Sequence, residues 1–403
     1  MLNASKSPNR EPPLLILLLL VSFGSISAVL FTPALPEIMN YFHVTSSDAQ
    51  STMTLFLVGY AFGQLPYGPF ANRYGRKPAL FIGILLAIAS SLLCILAAFL
   101  NVFWILSTAR LLMALGASAG LKITFTIIGD VYEQAKATKI ISKLILSFAI
   151  APGVGIAIGG FLTEKFHWQS CFYFLTAYGI LLLLLSMRLP ETSKQLDPHA
   201  LHASQILKNY LAKLKNSKLI VSSMIIGCGT SVIYIFASVA PFLSIELIKM
   251  QPSQYGLLNL IPPCGMILGS AMATKLTNRV PAIKSIGFGL IIMLVGALAM
   301  LIAFASSWIN VLSLFLPISI IYVGDSLMYA NTTSLAMSHA KNKSNASAVM
   351  NFINLGITVF AVFITGIASP SKAYVIPLVF VIAVLVMSGF HRKLSKLLAR
   401  PTS

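Results

Sequence analysis

Acidic residues are scarce. The 403 residues contain 28 Lys and Arg but only 10 Asp and Glu, and charged residues of both signs make up 9% of the chain. A soluble domain of this length would present too few charges to water, so a single water-soluble globule is excluded. Cysteine is also sparse: Cys94, Cys171, Cys228 and Cys264 lie in or at apolar runs with no short pair spacing. That pattern leaves them as small packing residues and removes a disulfide or thiolate–metal framework. The histidines, His43, His167, His199, His202, His339 and His391, fall in loops or near the ends of apolar runs. Neither His-Glu-x-x-His nor paired carboxylates within one run occurs. A metal or acid–base centre therefore lacks its parts, no cofactor is implied, and an intramembrane enzyme is the weaker class. A third class is a membrane sensor without transport, against which the sequence has no attached soluble signalling domain.

What the chain has is hydrocarbon. It is 57% hydrophobic, with a mean hydropathy of +0.87. Apolar runs begin near Leu14, Ser51, Ala79, Phe103, Ile140, Cys171, Leu219, Ser253, Lys284, Ile309, Ala346 and Ala373. Each is long enough to cross a bilayer, which predicts an all-α polytopic membrane protein with twelve transmembrane helices. The first run is extended by Pro33-Ala34-Leu35-Pro36-Glu37 and is read as an uncleaved span, not a signal peptide. With a cytoplasmic N-terminus, the basic residues collect inside, among them Arg73, Arg76, Lys77, Lys136, Lys139 and Lys143. Only Lys165, Lys249 and Lys372 are left outside, with Arg110 and Lys122 within a span. The positive-inside rule then puts both termini in the cytoplasm, and the net charge of +18 is explained by anionic lipid, not nucleic acid. The longest polar interval, 190–217, divides the chain into 1–189 and 218–403, and its basic part, Leu201 to Lys218, predicts a helix lying on the membrane surface.

Four stretches carry pattern. Gly68-Pro69-Phe70-Ala71-Asn72-Arg73-Tyr74-Gly75-Arg76-Lys77 is a basic turn between two spans, with Gly75 free to reverse the chain. Arg110, followed by Gly116, lies roughly 10 Å down the fourth run from Phe103 at ~1.5 Å per residue, too deep for easy solvation. Ala151-Pro152-Gly153-Val154-Gly155-Ile156-Ala157-Ile158-Gly159-Gly160 predicts a kinked, closely packed fifth span. In the tenth run Tyr322, Asp325, Tyr329 and Thr332 share one helix face, and Asp325 is an acid deep in the membrane, a candidate proton carrier.

These residues in this order resemble the major facilitator superfamily. Gly68, Ala71, Arg73, Gly75, Arg76 and Lys77 match its signature turn, Arg110 and Gly116 its second signature, and Pro152, Gly153, Gly155, Gly159 and Gly160 its antiporter motif. Phe31 to Ile38 and Gly59 to Gly68 are similar to the Bcr/CflA branch of drug:proton antiporters. Four positions depart from the patterns: Asn72 replaces an acid, Val29 stands where that branch carries an Asp, Ala151 replaces a glycine, and Gln169 an arginine.

The resemblance implies two six-helix bundles around a central cavity, usually in a monomer, in a bacterial inner membrane. It also implies Asp130 at the inner end of span four, paired with Arg73 or Arg76 unless it is merely solvated beside Lys136 and Lys139. Arg110, Asp325, Tyr322, Tyr329 and Tyr234 become the proton-coupling or cavity candidates, with Asn259, Asn351 and Asn354 weaker. Lys122 either snorkels or lines the cavity mouth, and Gln64 reads as packing more than as substrate contact. The implied function is proton-coupled export of small amphipathic organic compounds. Alternatives are a dedicated metabolite or siderophore exporter, and an uptake symporter.

Overall fold

A computed structural model describes residues 11–193, 196–197, 216–277, 279–338, 343–368 and 373–399. Among the described residues every regular element is helical. Twelve long segments follow one another: span one (Leu14–Phe42), two (Ser46–Tyr74), three (Arg76–Leu100), four (Phe103–Val131), five (Gln134–Phe166) and six (Gln169–Ser186). Spans seven (Ser217–Leu247), eight (Pro252–Leu276), nine (Ala282–Ala305), ten (Val311–Ser338), eleven (Lys343–Ile367) and twelve (Val375–Ala399) complete the chain. Eleven of them are apolar enough to cross a membrane by length and composition. Span two is the exception. Its 29 residues are long enough to cross, but they include Asp48, Gln50, Gln64, Asn72 and Arg73, so its polar groups must face protein or water. Of the expected surface helix over 201–218, residues 201–215 lie outside the described residues, as does most of 190–217, while Ser217 and Lys218 begin span seven.

Span one is not a single rod. Its α-helix ends at Val29, a 3-10 turn covers Thr32–Ala34, and a second helix runs over Leu35–Phe42. Pro33 and Pro36 explain the break, since neither can donate a backbone hydrogen bond and each suits the first turn of a new helix.

By internal packing the chain forms two units. One comprises 1–28, 59–152 and 169–202, the other 29–58, 153–168 and 203–403. In the first, small residues let backbones approach, which is what drives association in lipid. A side chain on Gly59 would strike the Leu111 carbonyl, one on Gly63 would strike Ser118 and Leu115, and Gly83 and Gly116 face each other across spans three and four. In the second unit span ten is the hub. Gly265 and Gly269 of span eight meet its Ser319 and Val323 carbonyls, while Gly289 of span nine meets its Gly324. The first half of span two also belongs here: the buried Gln50 amide donates to Ser238 Oγ at 3.1 Å, and Ser47 Oγ to the Gly366 carbonyl at 2.7 Å.

Candidate functional site

The signature turn is built by charge and geometry together. Gly75 has φ +102°, a conformation that side chains rarely adopt, and it ends span two one residue before span three begins. Arg76 then reaches in two directions. Its Nε meets Asp130 Oδ2 at 2.9 Å, and its Nη1 donates to Asn72 Oδ1 at 2.7 Å. The pair is largely sheltered, with side chains 11% and 23% exposed, and Thr192 Oγ1 donates to the same Asp130 oxygen at 3.0 Å. Asp130 therefore pairs with Arg76, while the Arg73 guanidinium lies over the Tyr74 ring. Asn72 supplies a neutral acceptor where the family pattern has an acid. Lys77 Nζ donates to the Met187 carbonyl at 2.9 Å, and Gly68 lies under the Lys122 side chain.

One participant was not singled out from the sequence. Glu191, after span six, accepts from the backbone N–H of Arg76 at 3.0 Å and of Lys77 at 2.9 Å, and from those of Thr192 and Ser193. It caps the N-terminus of span three, where four N–H groups have no helical partner and the helix dipole favours an anion. Burial works to raise its pKa, but the N–H groups of Ser193, Lys77, Arg76 and Thr192 outweigh it and hold the carboxyl below its ordinary value of 4.5. The signal was an acid in Leu189-Pro190-Glu191-Thr192, directly after an apolar run.

Arg110 is fully buried. Its Nη1 donates to the Ser27 carbonyl at 2.7 Å and its Nη2 to the Ala28 carbonyl at 3.0 Å. These are among the last carbonyls of the first helix of span one, which the break after Val29 leaves without helical partners. A forked cation at a helix C-terminus is the electrostatic complement of that end. Met113 Sδ lies 3.5 Å from Nη1, and Cys94 and Cys171 are near enough to interact electrostatically with the guanidinium. Arg110 thus does not snorkel to a surface.

The span-five motif works as packing. Pro152 lies inside the helix, and Gly153, Gly155, Gly159 and Gly160 are buried. Gly159 is pressed against the Leu30 carbonyl at the span-one break, so any side chain there would overlap it. Gly160 meets Pro252 and Gly256 of span eight, and Gly153 meets Asn259 and Pro263.

Asp325 is 2% exposed, and its Oδ1 has no hydrogen-bond partner among the described residues. That oxygen rests against Gly229 of span seven, where a side chain would collide with it. Tyr322 and Tyr329 are near enough to feel its charge, and Tyr234 lies near both tyrosines. Thr332, expected on the same face, donates to its own helix at Met328. Asn259 likewise bonds its own helix at the Tyr255 carbonyl, and Asn354 is buried. Tyr255 also lies within electrostatic reach of Tyr322 and is completely buried; nothing in its local sequence marked it. Among the described residues no three His, Cys, Asp or Glu side chains are grouped to hold a metal.

The profile of the family described as Major Facilitator Superfamily matches residues 15–363. The chain belongs to the major facilitator superfamily. An uncharacterized transporter of Rickettsia felis is 28% identical over 352 residues, covering 85% of this chain and 86% of its own. A bicyclomycin resistance protein homolog of Haemophilus influenzae is 26% identical over 268 residues, covering 66% of each, which is consistent with a Bcr/CflA-type transporter. Among solved structures, a D-xylose-proton symporter superposes with a TM-score of 0.74 at 15% identity, covering 94% of this chain and 97% of that one. At that identity the likeness is one of fold.

Proposed function

We propose that this transporter exports small amphipathic organic compounds in exchange for protons. It works by alternating access, as a monomer in a bacterial cytoplasmic membrane with both termini inside. The observation that carries the proposal is Asp325: a carboxyl removed from solvent, with one oxygen unpartnered among the described residues, on the central helix of its unit. A charge held there without a partner costs several kcal/mol, and a proton or a cationic or hydrogen-bond-donating group of the substrate reduces that cost. The two ligands therefore compete for one site, which is the requirement for exchange. Tyr322, Tyr329 and Tyr234 supply aromatic surface and hydroxyls around the acid, suited to flat organic molecules. The signature turn, from Gly68 through Asn72, Arg73, Gly75, Arg76 and Lys77 with Asp130, is proposed to stabilise one conformation of the cycle. The span-five glycines give the close packing that helix movement must preserve. The resistance-protein relative supports export of organic compounds, and the basic cytoplasmic loops support the orientation.

The test is flux in proteoliposomes under an imposed pH gradient. Dye or antibiotic should move against a proton gradient in the wild type, and Asp325→Asn should uncouple the two fluxes. Undiminished proton-driven exchange in Asp325→Asn would exclude this carrier. Movement of solute in the same direction as protons would make the protein a symporter.

A further inference from the structure

Span four carries three charged side chains, Arg110, Lys122 and Asp130. Arg110 is committed to two carbonyls of span one, and Asp130 is held by Arg76 and Thr192. Lys122 remains. It is half-buried, and its amine makes no hydrogen bond or ion pair among the described residues. Its side chain lies across Gly68 of span two, where an added Cβ would be 3.3 Å from Cε and 3.9 Å from Nζ. Gly68 precedes Gly75 by two helical turns, about 10 Å along the axis at ~1.5 Å per residue. A lysine at that depth is costly unless it faces water or an anion.

Two features around the amine suit an anion. Gln64 lies one turn from Gly68 on the same face of span two, is half-buried, and its amide makes no hydrogen bond among the described residues. On span four, Lys122, Phe125, Thr126 and Gly129 follow at i, i+3, i+4 and i+7, all partly or fully exposed, with open space beside Gly129. A stripe with an ammonium in it is a poor surface for hydrocarbon and a good one for a wetted vestibule. An aromatic ring, an ammonium and an amide N–H₂ together present donors and a flat apolar face. That is the complement of an aromatic or aliphatic acid.

We infer that Lys122, assisted by Gln64, is the docking point for an anionic oxygen group, a carboxylate or phosphate, on the transported compound. This rests on the exporter reading and names part of its substrate class. One charge-assisted hydrogen bond is worth about tenfold or more in affinity.

The test compares carboxyfluorescein with the cationic rhodamine 6G, which shares its ring skeleton. Binding is followed by fluorescence anisotropy to the purified full-length protein in phosphatidylcholine nanodiscs. The preference for carboxyfluorescein over rhodamine 6G should fall about tenfold or more in Lys122→Gln, by a smaller factor in Gln64→Leu, and stay within about threefold of wild type in Lys122→Arg. Equal weakening of both dyes, or no change in their ratio, would overturn the proposal, as would no saturable carboxyfluorescein binding by the wild type. Loss of carboxyfluorescein binding when phosphatidylglycerol replaces part of the phosphatidylcholine would assign the amine to a lipid headgroup and overturn it too. If binding depends on Lys122 but proteoliposomes show no proton-driven flux, the exporter reading fails and the site stands. With proton-driven flux and an unchanged dye preference, the exporter stands and the docking point fails.

Discussion

Replacing Glu191 should loosen the start of span three in a way that depends on pH. The carboxylate accepts backbone N–H groups of Arg76 and Lys77 at 3.0 and 2.9 Å, and its Oε2 would lie 2.7 Å from a Cβ on Gly75. Losing a helix N-cap costs about 0.5–2 kcal/mol, and because this side chain is exposed to solvent the charge adds little beyond that. Glu191→Ala should therefore cost about 1–2 kcal/mol near neutral pH. In a protein of 403 residues that is about 1–2 °C in Tm. Its pKa is lower folded than unfolded, so the contribution is fully present above the unfolded value of 4.5 and fades as pH falls through the folded one. Thermal unfolding of the detergent-purified protein at pH 7 and below pH 4 measures both ends. The deficit of Glu191→Ala should shrink toward zero in acid, with Glu191→Gln falling between alanine and wild type at pH 7. An equal deficit at both pH values would refute the cap, because a packing role has no reason to follow the proton.

Other variants test the remaining parts. Asn72→Asp places a carboxylate where Arg76 Nη1 already meets an acceptor at 2.7 Å, so Tm should rise by the equivalent of about 0.5–1 kcal/mol at low salt and less at high salt. Gly159→Ala drives a methyl into the Leu30 carbonyl and should cost about 3 kcal/mol or prevent accumulation of folded protein, measured by fluorescence-detected gel filtration. Arg110→Gln leaves the Ser27 and Ala28 carbonyls short of donors and should lower Tm by the equivalent of about 3 kcal/mol, with Arg110→Lys recovering only part because an ammonium cannot fork across both. Asp325→Asn should leave Tm unchanged or raised, since Oδ1 has no partner to lose among the described residues; a drop as large as that of Arg110→Gln would make Asp325 a structural acid.

Short-range patterns were legible in the sequence and long-range returns were not. The backbone of the signature turn needs only Gly75, which ten consecutive residues show, whereas its pairing with Asp130, 54 residues from Arg76, came from the family resemblance and left Arg73 and Arg76 both open. Glu191 reaches the same turn across a separation of 115 residues, and a lone acid after an apolar run announces no partner at that distance. Span two was legible as a span from its length and its glycines, although its composition alone falls short of a membrane helix. The break in span one is a consequence of Pro33 and Pro36, yet its position matters because it frees carbonyls, and backbone carbonyls carry no sequence signature. The second unit was the hardest to read. Its order comes from single glycines on spans seven, eight and nine meeting span ten one at a time, and isolated glycines make no motif.

In the sequence Arg110 and Asp325 are both charges deep within apolar runs, and both are cavity candidates. Their surroundings separate them. Arg110 is held by two carbonyls that the span-one break leaves exposed, so moving it would leave both a helix end and a guanidinium unsatisfied at once. Asp325 has an oxygen with nothing to lose among the described residues. A group that changes partner during a cycle must be able to leave its present one at little cost, and a group that defines the shape of a helix must not. That criterion is the reason we propose Asp325, and not Arg110, as the exchangeable charge, with Arg110 holding the end of the first helix of span one.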